Sequence, residues 1–305
     1  MLVLLQLTFL FSSVLLLSST GFAAVSFPVT KPVPRATIST LAPYTQFARA
    51  AYCPQYKLHR WECGVACNAL TSFQPSLVAG DGNGIQTYFV GYWPPEKTVI
   101  VAHQGTDPTR LVSDLTDMNI LLDPLNDTLF PDVPSNVKVH DGFRNEHALT
   151  APIILAEVKK LFKYRHIKKV TVIGHSLGGA LAELDALYLT LNLPANTSVH
   201  AVTYGTPRVG NLAFAKLIDK MVPNFRRINN KKDIVPIVPG RSMGFAHPRG
   251  ELHILSPGKA IFCPGNDDAI NWQCQIQTVP TVLRGSLVDH LGPYEGIPIG
   301  TGACT

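Results

Sequence analysis

Gly174-His175-Ser176-Leu177-Gly178 sets one hydroxyl between two glycines. A serine hydroxyl attacks a carbonyl only when a base takes its proton, and that base needs a carboxylate to orient it. The flanking sequence suits such a role. Val170 to Ile173 is a short apolar run of mostly β-branched residues, the pattern of a buried parallel strand. Ala180 to Leu191, small and apolar, reads as a helix packed on a sheet. A strand-turn-helix elbow forces its central residue into strained backbone geometry, so the positions two before and two after must lack bulk. Gly174 and Gly178 meet that condition. The helix after the turn leaves free N–H groups at its start, which places the Leu177 N–H where a tetrahedral oxyanion would form.

In a fold of this kind the acid and then the base follow the serine along the chain, each at a strand end. His200, His247, His253 and His290 lie after Ser176. His200 falls in a strand, His253 in the strand-like Leu252-His-Ile-Leu, and His247 in a loop before Pro248. His290, in a loop near the C-terminus, is the preferred base. Asp233 is the preferred acid, because it follows the strand Phe225 to Asn229 and a polar turn. Asp219 lies within a helical pattern, and Asp267 and Asp268 lie between two cysteines. Asp289, adjacent to His290, points the other way. A second oxyanion donor is expected in the loop after the strand Lys97 to His103. There Gly105 permits close approach, and Thr106 offers both an N–H and a hydroxyl. His103 reads as a packed strand end rather than a second base.

The surrounding elements alternate. Strand patterns at Ile85 to Trp93, Lys97 to His103, Val170 to Ile173, Val199 to Tyr204 and Phe225 to Asn229 are interleaved with helical patterns. The helices are expected at Ala148 to Arg165, Ala180 to Leu191 and Asn211 to Met221. With 305 residues and no internal repeat, this predicts a single α/β domain over residues 37–305 with a mostly parallel central sheet flanked by helices. Charged residues are 15% of the chain and the net charge is +5, with Lys and Arg no denser than pairs such as Lys168-Lys169. No nucleic-acid surface is expected from that pattern. Nothing points to a catalytic metal, a nucleotide or a redox cofactor. Cys63-x-x-x-Cys67 lacks a second ligand pair at zinc spacing.

Leu2 to Leu17 is almost wholly apolar and uncharged and is followed by small residues, the pattern of a signal peptide cleaved after Ala23. Residues 24–36 read as a leader or short pro-segment. No later run is apolar long enough to span a bilayer, so a secreted, extracellular protein without a stable membrane anchor is expected. Six cysteines agree with an oxidising compartment. So do the glycosylation sequons at Asn126 and Asn196.

The chain resembles the secreted filamentous-fungal lipases of class 3, an α/β-hydrolase family that also contains feruloyl esterases. The resemblance runs from about Thr40 to the C-terminus. It rests on Val139-His-Asp-Gly-Phe143, Val172-Ile-Gly-His-Ser-Leu-Gly-Gly-Ala180, Tyr204-Gly-Thr-Pro-Arg-Val-Gly-Asn211, Asp233-Ile-Val-Pro236, Asp289-His-Leu291 and Gly302-Ala-Cys-Thr305. It implies the triad Ser176, Asp233 and His290, with Thr106 and Leu177 as oxyanion donors. It also implies the disulfides Cys53–Cys304, Cys63–Cys67 and Cys263–Cys274, which the sequence alone leaves as one of about fifteen pairings. One departure stands out: His103 and Gln104 precede the oxyanion glycine, where the family usually carries an aromatic residue and often an arginine.

The expected activity is carboxylic-ester hydrolysis through an acyl-enzyme, on triacylglycerols with broad ester tolerance and at an oil–water interface. Feruloyl-ester hydrolysis is the alternative. A lid is expected at Asp107 to Asp114, with Leu111, Val112, Leu115 and Met118 as a modest apolar stripe; the competing reading is a plain surface turn. A secreted serine peptidase and a catalytically silent lipid-binding protein fit less well, the latter because it would have no need of a complete triad.

Overall fold

A computed structural model describes residues 29–107, 110, 120–300 and 304. The apolar N-terminal run and most of the expected lid lie outside the described residues, as do Gly302, Ala303 and Thr305.

The strands along the chain begin with β1 (Lys31–Pro32), β2 (Gln74–Ala79), β3 (Tyr88–Trp93), β4 (Thr98–His103), β5 (Leu122–Pro124) and β6 (Lys138–His140). They continue with β7 (Lys169–His175), β8 (Ser198–Tyr204), β9 (Gly210–Asn211), β10 (Asn224–Asn230), β11 (Phe245–Ala246), β12 (Glu251–Ser256) and β13 (Lys259–Cys263). Nine of them form one sheet in the order β1-β13-β12-β10-β8-β7-β4-β3-β2; the other four form a small second sheet. The centre, β4-β7-β8-β10-β12, is parallel. Both flanks are antiparallel: β2 and β3 on one side, β13 and β1 on the other. The expected parallel sheet is therefore the middle of a mixed one. Strands buried on both faces need helical crossovers, whereas the edges are reached by short connections.

Alternation along the central strands divides the core into two layers. Val99 and Val101 join Ile154, Val158 and Leu161 of the helix Asp141–Arg165 and the helix Leu177–Asn192 on one face. Ile100 and Ala102 join Phe47 and Ala48 of the helix Ala42–Ala50 on the other. The helix expected from Ala148 begins seven residues earlier, at Asp141. Its cap is His140, whose Nδ1 accepts from the Gly142 and Phe143 N–H groups at 3.1 and 3.4 Å. Histidine is an uncommon cap and Gly142 weakens the first turn, so the periodicity shows only further on. Lys31 and Pro32, in the expected leader, pair with β13, and Val33 is buried beside them.

All six cysteines are paired, Cys53 with Cys304, Cys63 with Cys67 and Cys263 with Cys274. The first closes a loop of 251 residues. In the chain-entropy model such a crosslink stabilises by about 5 kcal/mol, more than either short one.

The helix Leu177–Asn192 is buried on all sides from Gly178 to Leu189, and it carries two acids, Glu183 and Asp185. Neither oxygen of Glu183 has a hydrogen-bond partner among the described residues. Burial raises its pKa to about 8, against the pull of Arg227. As pH rises from the model-peptide value of 4.5 towards 8, the unfolded chain releases this proton while the folded chain keeps it. Stability then falls across that window and is lowest above it. Glu183→Gln is expected to raise the melting temperature by roughly 4 °C or more near pH 9 and by much less near pH 5. Thermal unfolding at the two pH values checks this.

Candidate active site

Strand β7 ends at His175 and a helix begins at Leu177, so Ser176 occupies the turn between them. Its backbone sits at φ 59°, ψ −130°. That conformation is costly for any residue with a Cβ, and it is held by what surrounds it. The Ser176 N–H donates to the Tyr204 carbonyl at 2.9 Å, and its carbonyl accepts from Gly179 at 2.9 Å. A Cβ on Gly174 would lie 1.9 Å from the Gly178 carbonyl oxygen, and one on Gly178 would lie 2.4 Å from the His103 carbonyl oxygen. The two glycines are thus required by contact. Ser176 is 2% exposed.

Asp233 and His290 come together although 57 residues separate them. Asp233 follows β10 and is fully buried. His290 ends the short helix Leu287–His290. His290 Nδ1 donates to Asp233 Oδ2 at 2.9 Å and lies 3.1 Å from Oδ1. Oδ1 also accepts from the Val235 N–H at 2.8 Å. The Asp233 carbonyl accepts from Gln275 Nε2 at 2.6 Å. His290 Nε2 is buried and has no partner among the described residues. An imidazole fixed this way holds its proton on Nδ1 and presents a lone pair at Nε2.

The other acids and histidines are engaged elsewhere. His253 has both ring nitrogens on carbonyls, those of Gln273 and Lys231. His247 is buried against the Pro236 carbonyl, and His200 meets Ser198 Oγ. Asp219 binds the Arg249 N–H and Asn266. Asp267 pairs with Arg208, and Asp289 with Lys231 and the Lys232 N–H.

The loop after β4 presses against Ser176. A Cβ on Gly105 would lie 2.9 Å from Ser176 Cβ and 2.4 Å from the His175 carbonyl oxygen. Thr106 follows directly and is half-buried. The Leu177 N–H opens its helix and so has no intrahelical acceptor. Both expected oxyanion donors therefore belong to segments that flank Ser176.

Three residues that the sequence did not single out complete the surroundings. His175, fully buried, donates from Nε2 to the His290 carbonyl at 2.8 Å and accepts at Nδ1 from the Tyr52 hydroxyl at 2.6 Å. Burial and the neighbouring His290, whose ring centre is 4.3 Å away, hold the His175 pKa well below its ordinary value, which keeps it neutral. The Tyr52 hydroxyl also lies against Gly105, where an added Cβ would meet its oxygen. Tyr294 places its hydroxyl 3.0 Å from the His290 carbonyl and beside Asp233. Two hydrogen bonds thus run from Tyr52, beside the loop after β4, through His175 to the backbone of His290.

The class 3 lipase family model matches residues 100–243, from β4 past Asp233. A secreted mono- and diacylglycerol lipase, LIP1 of Malassezia globosa, is 32% identical over 244 residues, covering 78% of this chain and 77% of that protein. The lipase of Rhizomucor miehei is 32% identical over 278 residues, covering 88% and 70%. The chain belongs to the class 3 lipase family. A solved triacylglycerol lipase described as having a serine protease triad for its catalytic centre superposes with a TM-score of 0.77 at 28% identity, covering 91% of this chain and all of that one. The lipase described here accordingly has the α/β-hydrolase fold and is a carboxylic-ester hydrolase of the triacylglycerol-lipase type.

In this lipase Tyr52→Phe removes the hydroxyl that donates to His175 and leaves the ring packing in place. Turnover of tributyrin is expected to fall about 10-fold with the fold retained, the size of one lost buried hydrogen bond. Steady-state rates and a melting curve together check this.

Proposed function

We propose that this lipase cleaves acylglycerol esters through an acyl-enzyme on Ser176, with His290 as base and acid and Asp233 as its orienting carboxylate. The observation that carries the reading is His290 itself, anchored to Asp233 through Nδ1 with Nε2 unpartnered and buried. His290 Nε2 takes the Ser176 proton as Oγ adds to the ester carbonyl. The Thr106 and Leu177 donors receive the oxyanion, and each such donor is worth roughly 3 kcal/mol of transition-state stabilisation. The protonated His290 then gives its proton to the departing glyceryl oxygen. Water, deprotonated by the same nitrogen, releases the fatty acid and restores Ser176.

A lipid substrate is supported by the segment that carries the base. Val282, Leu283 and Val288, all within eight residues of His290 in the chain, are 50%, 93% and 77% exposed. Apolar side chains left in water beside a site fit contact with an apolar phase. Secretion is supported by the apolar leader expected at residues 1–23, by the three disulfides and by the names of the relatives. Asn126 and Asn196 are both exposed, as glycan acceptors must be. No helix among the described residues is long and apolar enough to cross a membrane.

Rates on emulsified long-chain triglyceride, tributyrin and methyl ferulate test the assignment. Triglyceride and tributyrin turnover without ferulate turnover is the expected outcome. Ferulate turnover exceeding both would replace the acylglycerol reading with the phenolic-ester one.

A further inference from the structure

Behind the oxyanion loop lies a second hydrogen-bonded cluster that touches neither Ser176 nor His290. His103 is the last residue of β4, three before Thr106. His147 belongs to the helix Asp141–Arg165, and Asp185 to the helix that starts at Leu177. His103 Nε2 lies 2.7 Å from Asp185 Oδ2, and His147 Nε2 lies 3.0 Å from Asp185 Oδ1. All three side chains are 1% exposed or less. Each carboxylate oxygen thus accepts one imidazole N–H. Burial alone would raise the Asp185 pKa, but the two histidines outweigh it and hold the group at about 2.

We propose that Asp185 is a positioning residue for catalysis, fixing the strand end that carries the Thr106 donor against the helix that carries the Leu177 donor. The inference rests on the reading of Thr106 as an oxyanion donor. Donors must sit within roughly 0.5 Å of their working positions to be effective. Loops rarely hold that tolerance unaided, and here only Gln104 and Gly105 separate His103 from Thr106. The backbone side of the junction is already tight, since the His103 and Gln104 carbonyls abut Gly178. Gln104 is tied to Thr87 through both its N–H, at 2.8 Å, and its side-chain oxygen, at 3.1 Å. Asp185 supplies the side-chain clamp, about 12 Å along the helix axis from Leu177, where no substrate reaches it. His103 Nδ1 is buried without a partner among the described residues, so its ring is held only through Nε2 and by stacking on Tyr88. A fully buried carboxylate is costly compared with apolar packing, so Asp185 is not accounted for by net stabilisation of the fold.

Two comparisons test this, with kcat on p-nitrophenyl butyrate expressed per active site titrated with an organophosphate. His103→Leu should lower kcat about 10-fold with little change in KM, while His103→Gln, whose Nε2 can still donate to Asp185, should stay within about 3-fold of the parent. Asp185→Asn should lower kcat about 10-fold, and combining it with Thr106→Val should cost no more than the worse single change. Equal kcat per titrated site in His103→Leu and His103→Gln, with only the melting temperature lowered, would show a purely structural cluster and overturn the proposal. So would fully additive losses in the double variant. If Thr106→Val by itself leaves kcat unchanged, the Thr106 hydroxyl is not a working donor while its N–H remains, and the comparison of His103→Leu with His103→Gln then decides the proposal.

Discussion

Ser176→Ala is expected to lower turnover of a soluble p-nitrophenyl ester by about 10⁶-fold, the scale on which removing an activated nucleophile acts. The fold should survive. Alanine keeps the Cβ, so it occupies the φ 59° turn at the same strain as serine, and the Tyr204 and Gly179 backbone bonds do not involve the hydroxyl. An unchanged circular dichroism spectrum and a melting temperature within a few degrees of the parent would accompany the lost activity. The residue lost is then the reacting atom and not the scaffold.

Asp233→Asn carries the second-largest expected effect, about 10⁴-fold in kcat. The cause is a tautomer and not a lost contact. Asp233 Oδ1 already accepts from the Val235 N–H, so an asparagine would keep its carbonyl there and turn its NH₂ towards His290. An imidazole facing a donor at Nδ1 moves its proton to Nε2 and can no longer accept the serine proton. KM should change little, because the substrate contacts are untouched. Stability should change only modestly, since the side chains are nearly isosteric and the Gln275 bond is to the backbone carbonyl. Paired measurements of kcat and KM distinguish this outcome from general disruption.

The arrangement of the candidate site was legible in the sequence where local rules force it. An elbow needs glycines flanking its serine, and the base and acid must sit in loops after strands. That order singled out His290 and Asp233, which the structure brings within hydrogen-bond distance of each other. What surrounds them was not legible, because it is made by distant pairings. Tyr52 meets His175 across 123 residues, and nothing near Tyr52 in the chain foretells it. Asp185 lies in a helix whose apolar composition concealed two buried acids. Their presence on a buried helix was the available signal, and its meaning depends on which side chains arrive from β4 and from the Asp141–Arg165 helix. The departure at His103 was visible in the same way: the sequence showed a histidine in place of an aromatic residue, and the fold supplies its Asp185 partner. The parallel centre of the sheet followed from continuous apolar strands, but its antiparallel edges did not. Short strands such as Lys31–Pro32 gain their identity from the neighbour they pair with, here β13.

The most direct test of the catalytic assignment is to inactivate the lipase with an alkyl p-nitrophenyl phosphonate and map the adduct by peptide mass spectrometry. One phosphonyl group per chain on the peptide carrying Ser176, absent in Ser176→Ala and formed far more slowly in His290→Ala, is the predicted result. A stoichiometric adduct on another residue, with Ser176 unmodified and activity lost, would contradict it.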